Sequence, residues 1–169
     1  MLRVSTIIEG LQAIVGSDHV RGGAGTAAYR LGSATPQAVV FASDETEVSR
    51  VLGFAWEKGL GVVPWGGGAH QSLGMLPTRY DVAIDLGRMD RLLEHEPADM
   101  TATAQAGIRM EELQRRLAVH GQFLPLDPPL ADRATLGGIL ATRLSGPLSC
   151  RYGTARDLVL GVHVAHADG

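Results

Sequence analysis

Three consecutive glycines, Gly66-Gly67-Gly68, are the feature of this sequence with the clearest chemical meaning. They follow a short apolar segment, Val62–Trp65, and lead into a small polar stretch that continues to Gly74. Residues without side chains let neighbouring backbone N–H groups converge on one point, and such a loop can bind phosphate without a cationic side chain of its own. The loop therefore predicts a phosphate-bearing cofactor. A surface turn is the alternative, because glycine runs are also common in turns.

The histidines and the single cysteine give no comparable signal. Cys150 has no second cysteine for an internal disulfide and no histidine at ligand spacing, so the sequence favours a packing role for it. His163 and His166 lie three residues apart on a predicted strand, where side chains at an odd separation point to opposite faces. A shared metal ion is not expected there. We predict no metal site and assign no catalytic base.

The pattern of a β-strand, an α-helix and a second β-strand leads into the glycines. Residues 38–42 are continuously apolar over the length of a strand, and Asp44 and Glu47 then have the spacing of a helix capping box. Apolar residues recur at helical spacing as far as Lys58-Gly59, which is a typical helix end. Residues 61–65 form a second apolar strand. This arrangement predicts a right-handed βαβ unit with parallel strands.

No helical pattern opens directly after the glycines. The dinucleotide fingerprint of a Rossmann domain needs a helix at that point, so this architecture is not expected. A bound phosphate would instead be held by loop amides without a helix dipole behind them. The other predicted elements are a helix over residues 5–15, a loop over 22–35, strands over 82–86, 92–96 and 101–106, helices over 110–120 and 135–142, and a last strand over 158–167.

Length and composition restrict the class of protein. The chain has 169 residues, of which 45% are hydrophobic, a size typical of one compact domain or of part of a larger protein. Its formal net charge is -3 with scattered basic residues, so nucleic acid is not an expected partner. No apolar run reaches the ~18 residues of a membrane span, and the N-terminus lacks a signal-peptide pattern. These features predict a cytoplasmic protein.

Several short motifs follow one another along residues 36–169. They are Gly66-Gly67-Gly68, Asp85-Leu86, Ala106-Gly107, His120-Gly121, Leu124-Pro125-Leu126-Asp127-Pro128-Pro129, Ala134-Thr135-Leu136-Gly137-Gly138, Ser145-Gly146-Pro147, Arg151-Tyr152-Gly153, Arg156-Asp157 and Ala167-Asp168-Gly169. In this order they resemble the FAD-binding (PCMH-type) domain of the FAD-linked oxidases, the superfamily of p-cresol methylhydroxylase and vanillyl alcohol oxidase. Within that superfamily they are most similar to the FAD-binding subunit of bacterial glycolate oxidase.

The resemblance implies an α+β fold with an N-terminal βαβ unit and a second, mixed or antiparallel sheet. The chain is then one FAD-binding domain, in which an N-terminal helix and loop (residues 1–35) precede a first subdomain (about 36–87) and a second (about 88–169). The family's domain continues beyond Asp168-Gly169, which is a typical hairpin-turn signal. We therefore expect the fold to be incomplete at its C-terminus, with a last strand that lacks one partner and invites association.

The resemblance also implies which residues bind the cofactor. Those that resemble the diphosphate loop are Gly66, Gly67, Gly68, Ala69, His70, Gln71, Ser72 and Leu73. Those that resemble the wall around the flavin and its ribityl chain are Asp127, Pro128, Thr135, Gly137, Gly138, Ser145, Gly146, Tyr152 and Gly153. We expect noncovalent FAD, because some relatives attach it through a histidine directly after the glycines and this chain has Ala69 there. His70 is expected to point away from the flavin, and Cys150 remains an alternative attachment site.

By resemblance, the intact enzyme would transfer two electrons from a small 2-hydroxy acid such as glycolate to the flavin. The chain would then be the FAD-binding part of a flavin-dependent oxidoreductase. The alternative is an inactive, truncated remnant or an interaction module that pairs with a larger oxidase subunit. The expected partners are the small substrate of the intact enzyme and either a companion oxidase subunit or a second copy of the chain.

Overall fold

A computed structural model describes residues 3–71 and 73–169. These residues form two compact units, each with its own core. The first unit comprises the described residues of Met1–Trp65, Gln71–Arg88 and His163–Gly169, and the second comprises Gly66–His70 and Met89–Val162. Helices and both parallel and antiparallel strands are present, so the predicted α+β class is confirmed. None of the helices in the described part of the chain has the length and apolar character needed to cross a membrane.

A four-stranded sheet is the centre of the first unit. Its strands are β1 (Val20–Gly22), β2 (Ala38–Phe41), β3 (Val62–Trp65) and β4 (Val82–Asp85). They lie in the order β1-β2-β4-β3. β2 and β3 each pair in parallel with β4, whereas β1 pairs antiparallel with β2. The predicted parallel strands are therefore confirmed, and β4 lies between the two that flank the predicted helix.

The N-terminal helix, α1 (Val4–Val15), confirms the helix predicted for residues 5–15 and buries one apolar face in the core of the sheet. The following segment, predicted as a loop over residues 22–35, is more regular than expected. Gly22 ends β1, and a 3-10 helix spans Gly23–Tyr29. Its glycines and alanines show no hydrophobic period, so the sequence carried no signal for this short helix.

The second helix, α2 (Glu45–Glu57), begins where the sequence predicts. The Asp44 carboxylate accepts a hydrogen bond from the Glu47 N–H at 2.9 Å, as an N-cap residue does. The Glu47 carboxylate reaches one residue further back than in a capping box and accepts from the Ser43 N–H at 2.7 Å. These two hydrogen bonds fix Ser43 and Asp44, the two residues that precede α2, to the first turn of the helix.

Asp81, immediately before β4, joins the beginnings of the three parallel strands. Its carboxylate accepts hydrogen bonds from the Gly61 N–H (2.7 Å), the Gln37 side-chain amide (2.6 Å) and the Arg79 Nε (2.6 Å). Its backbone N–H donates to the Gly61 carbonyl, and its carbonyl accepts from the Gln37 N–H, both at 2.8 Å. Gln37 precedes β2 and Gly61 precedes β3. Asp81 is only 7% exposed, so an unpaired donor here would be costly.

Two tyrosines form a second polar connection, which reaches Asp85 at the end of β4. The Tyr29 hydroxyl donates to the Asp85 carboxylate at 2.5 Å, and the Tyr80 hydroxyl donates to the Tyr29 carbonyl at 2.9 Å. The Tyr29 ring also contacts those of Trp65 and Phe41, with centroids 5.0 and 6.3 Å away. Burial, and then the hydrogen bond to Asp85, raise the pKa of Tyr29. Burial raises the pKa of Tyr80 to about 12.

The second unit combines a small sheet with short helices. Strands β5 and β6 pair antiparallel, as predicted. Helices at the predicted positions follow them, the second of which begins after Thr135 as its N-cap. The elements of this unit are β5 (Leu92–Glu96), β6 (Thr101–Ala104), α3 (Met110–Ala118), α4 (Leu136–Thr142), α5 (Ser149–Tyr152) and α6 (Ala155–Leu158).

The last predicted strand, over residues 158–167, is wrong. Residue 158 is the end of α6, and residues 159–169 contain no strand. The Asp157 carboxylate accepts from the Thr154 N–H and hydroxyl at 2.7 and 2.8 Å, so a capping box starts a helix just before the apolar run. The Asp-Gly turn is present, because the Gly169 N–H donates to the His166 carbonyl at 2.9 Å.

Replacement of Asp81 by alanine should destabilise the first unit by about 3 kcal/mol, because the Gly61 N–H and the Gln37 amide lose a charged acceptor in a buried position. The free energy of unfolding from denaturant titration measures this change. Asp18→Ala, at an exposed position of the same unit, is the matched control and should change it by less than about 0.5 kcal/mol. Equal effects of the two substitutions would contradict the role of Asp81.

The tyrosine pair predicts a loss of stability at alkaline pH. The pKa of Tyr80 is higher in the folded chain, about 12, than its ordinary value of 10.0. Its contribution is therefore complete below about pH 10 and is lost as the pH rises towards 12. Tyr80→Phe removes one hydrogen bond and should cost about 1 kcal/mol at about pH 9.

At about pH 11.5 the same variant should be about 1 kcal/mol more stable than the wild type, because the wild type loses about 2 kcal/mol that phenylalanine does not lose. Denaturant titrations of both proteins at the two pH values provide the comparison. A difference between them that does not change with pH would show that Tyr80 titrates normally.

Candidate functional site

The glycine loop, defined as Gly66–His70, packs against residues 133–135 within the second unit. A Cβ atom on Gly67 would overlap the carbonyl oxygen of Arg133, and one on Gly66 would overlap the Thr135 hydroxyl. Gly68 has a φ of 65°, in the left-handed region that favours glycine. Packing and backbone conformation thus require all three glycines in the absence of any ligand.

The backbone N–H groups of this loop are available to an anion. In the described part of the chain, those of Gly66, Gly67 and Gly68 donate to no protein acceptor, although all three residues are half-buried. Buried or half-buried N–H groups normally have an acceptor. A group of neighbouring unpaired amides is the arrangement that the sequence predicts for binding phosphate.

Arg133 is a residue of this site that sequence analysis missed. Its Nη2 donates to the carbonyl oxygen of Gly68 at 3.3 Å, and its own carbonyl is the group that meets Gly67. The two segments lie 65 residues apart, and neither periodicity nor a motif connects residues at that distance. The structure therefore shows a cationic side chain beside a loop whose own sequence contains no Lys or Arg.

His70 is the last residue of the loop. Its Nε2 is buried and is the one buried side-chain nitrogen or oxygen in residues 3–71 and 73–169 without a hydrogen-bond partner. An orphaned buried imidazole nitrogen costs free energy unless water or a ligand satisfies it. The expectation that His70 points away from the flavin stays a prediction, and the structure shows only that its Nε2 is not exposed to solvent.

Asp127 and Gly146, two of the predicted wall residues, are brought together. The Asp127 carboxylate accepts from the N–H groups of Gly146 and Leu148, both at 3.1 Å. A Cβ on Gly146 would lie 2.5 Å from the Asp127 carboxylate, so only glycine allows this approach. Pro128 is buried and Ser145 is exposed. Asp127 thus shapes the turn that presents Ser145, and its oxygens are used within the protein.

The start of α4 holds three further predicted site residues. The buried Thr135 hydroxyl accepts from the Gly138 N–H at 3.4 Å. The Gly137 N–H donates to the Ala106 carbonyl at 2.8 Å, and a Cβ on Gly137 would lie 2.9 Å from that of Ala106. Close packing of α4 against Ala106 therefore accounts for Gly137, and both glycine N–H groups have protein acceptors.

Tyr152 is exposed on the second unit, and Gly153, which follows it, is half-buried. The Tyr152 ring meets the Phe123 ring edge-on at 5.9 Å, and the Arg151 guanidinium lies over it at 5.3 Å. Gly153 has a φ of 85°. In the first unit, Gln71 is half-buried in a turn and Leu73 is exposed, while Ser72 lies outside the described residues. Phe123 is a neighbour of Tyr152 that the sequence motifs did not indicate.

This arrangement fits a cofactor that carries a diphosphate. Unpaired loop amides, one orphaned imidazole nitrogen and one guanidinium are donors, and phosphate oxygens are their natural acceptors. The described residues contain no group of three or more His, Cys, Asp or Glu side chains arranged to hold a metal ion. The donors of the glycine loop and of Arg133 can bind an anionic group by hydrogen bonds.

Comparison with known proteins gives the same result. The model of the FAD binding domain family matches residues 36–169. D-lactate dehydrogenase [cytochrome], mitochondrial, of Arabidopsis thaliana is 38% identical over 134 residues, which are 79% of this chain and 23% of the enzyme. Glycolate oxidase subunit GlcD of Bacillus subtilis is 31% identical over 79% of this chain and 28% of its own length. The chain thus spans about a quarter of these relatives.

Solved structures show the same fold. An alkyldihydroxyacetonephosphate synthase aligns with 99% of this chain and 34% of its own, at a TM-score of 0.88 and 26% identity. p-Cresol methylhydroxylase, with a TM-score of 0.69 and 21% identity over 84% of this chain and 30% of its own, supports the fold alone. The glycine loop and the residues packed around it thus lie within the matched segment, and the chain belongs to the FAD-binding-domain family of the FAD-linked oxidases, with FAD as its cofactor.

Proposed function

We propose that this chain is the FAD-binding part of a flavin-dependent oxidoreductase that oxidises a small 2-hydroxy acid, such as glycolate. The observation that carries the proposal is the loop of unpaired amides, Gly66–His70, inside a segment matched by the FAD-binding family. Relatives are named for D-lactate, glycolate and D-2-hydroxyglutarate, all of which are 2-hydroxy acids. Another relative is an alkyldihydroxyacetonephosphate synthase, whose name refers to a different reaction. The 2-hydroxy acid is therefore the more specific part of the proposal.

Each part of the site has a task in this proposal. FAD, when bound, would supply the two-electron oxidation chemistry for the substrate. The loop amides hold the diphosphate, and the Asp127 carboxylate keeps the Gly146–Leu148 turn in place so that the exposed Ser145 hydroxyl can donate to the cofactor. No residue of the chain is assigned as the base that takes the substrate's hydroxyl proton.

A companion subunit is part of the same proposal. One relative is named as a subunit of glycolate oxidase. In the second unit, Leu160 and Val162 are 88% and 59% exposed, and exposed apolar side chains near each other favour contact with another polypeptide. The same observation favours the alternative function, an interaction module without redox activity. The proposed location is the cytoplasm, although four of the relatives are named as mitochondrial.

The protein should bind about one FAD per chain, and acid or denaturant should release that FAD. Ala69 stands where some relatives carry the linking histidine and has no nucleophile. The measurement is flavin absorbance in the supernatant and in the pellet after acid precipitation. Flavin that stays with the polypeptide would contradict the noncovalent proposal, and Cys150→Ser, at the exposed cysteine, would then test the alternative attachment site.

A 2-hydroxy acid should reduce the flavin of the protein in its native complex. Glycolate, D-lactate and D-2-hydroxyglutarate, each added without oxygen, should bleach the visible flavin absorbance, and the fastest identifies the preferred substrate. Acetate, which lacks the hydroxyl group, is the control and should leave the spectrum unchanged. A holoprotein that binds FAD but is bleached by none of the three acids would favour the interaction module.

A further inference from the structure

Arg133 is held against the glycine loop by its main chain. Its N–H donates to the Leu130 carbonyl at 2.9 Å, and the Ala134 N–H donates to the same carbonyl at 2.8 Å. This turn places the Arg133 carbonyl so close to Gly67 that a Cβ atom on Gly67 would overlap it. The base of the side chain is therefore fixed beside the loop, and little backbone entropy remains to be lost when the guanidinium binds a ligand.

The guanidinium lies over the loop with most of its donors unused. Nη2 donates to the Gly68 carbonyl at 3.3 Å, which is a long hydrogen bond. Arg133 is exposed, so one such bond between a solvated guanidinium and a carbonyl contributes little to stability. A guanidinium has five N–H donors in a planar fork that matches phosphate oxygens. Its position is better explained by an anion beside Gly68 than by the stability of the loop.

His70 contributes a second side-chain donor at the far end of the same loop. Its Nε2 lacks a partner among the described residues, and in the Nε2–H tautomer it can donate to a phosphate oxygen. The two side chains and the loop amides belong to the second unit. An anion bound by the amides would therefore lie beside His70, which belongs to the loop, and beside the Arg133 guanidinium, which contacts the loop at Gly68.

We propose that Arg133 is the cation that binds the diphosphate of FAD at the glycine loop, with His70 as a second side-chain donor. This inference rests on the proposed function of the loop as the diphosphate site. Arg133 acts as a binding and specificity residue, because its contacts favour a flavin that carries a diphosphate over one that carries no phosphate. Electron transfer at the flavin ring does not depend on it directly.

The test compares the binding affinity of FAD with that of riboflavin, which has the same ring without a phosphate. Both are titrated into the cofactor-free protein in its native complex. Arg133→Gln should raise the dissociation constant of FAD about tenfold or more, because it removes a charge-assisted, bidentate contact. The FAD affinity of this variant should also depend less on salt concentration than that of the wild type. Riboflavin should bind the wild type and the variant equally well.

Two further variants control for charge and folding. Arg115→Gln removes the same charge from α3, where Arg115 pairs with Glu112 at 2.7 Å, and should leave the FAD affinity unchanged within about twofold. Arg133→Lys keeps the charge without the planar fork, so its affinity should lie between those of the wild type and Arg133→Gln. Thermal denaturation of all variants confirms that they are folded.

The outcomes separate this inference from the proposed function. FAD affinity of Arg133→Gln within about twofold of the wild type, with wild-type FAD still preferred over riboflavin, would overturn the role of Arg133 alone. A wild type that binds FAD no more tightly than riboflavin would show that the loop is not a diphosphate site, and the proposed function of the loop would fail with it. A weaker riboflavin complex in Arg133→Gln would also overturn the inference, because the effect would then not concern phosphate.

Discussion

The close approach of Gly67 to the Arg133 carbonyl is the contact on which the candidate site depends. No side chain fits between the two backbones at this point, and a Cβ atom on the neighbouring Gly66 would overlap the Thr135 hydroxyl. Thr135 in turn caps α4, and Gly137 in α4 packs against Ala106. A series of close contacts, through the Arg133 carbonyl and the Thr135 hydroxyl, thus links the loop to the helix. Because these contacts hold the loop in place, its amides are preorganised before a ligand arrives.

Glycine in this chain has two uses that a sequence does not distinguish. The loop glycines and Gly137 can be interpreted as positions where a backbone approaches a cofactor, and the resemblance assigns them that role. The structure shows that the space at Gly66, Gly67 and Gly137 is filled by the protein itself. The amides differ, however, because Gly137 donates to Ala106 whereas the loop amides are unpaired in the described residues. Whether the N–H group has a protein acceptor therefore distinguishes a glycine that is needed for packing from one whose N–H can bind a ligand.

Local signals made much of the fold predictable. An N-cap such as Asp44 and an apolar run such as that of β2 act over a few residues, and both are where the sequence places them. The strand predicted over residues 158–167 was wrong. A local signal for a helix was present just before it, because Thr154 and Asp157 have the spacing of a capping box and start α6. Arg133 could not be predicted beside Gly68, since their contact depends on the tertiary fold.

The main chain and the side chains of the loop region contribute differently to what this segment supplies to an enzyme. If the amides fixed by packing bind the diphosphate, as we propose, any relative that keeps the loop would bind it in the same way. Relatives named for D-lactate, glycolate and hydroxyglutarate all match this segment, so the segment is shared by proteins that are named for different acids. Side chains such as Arg133 and His70 are where relatives can differ without altering the loop. Variation in the strength of flavin binding is therefore expected at these two positions, whereas the choice of substrate needs residues that contact the acid itself.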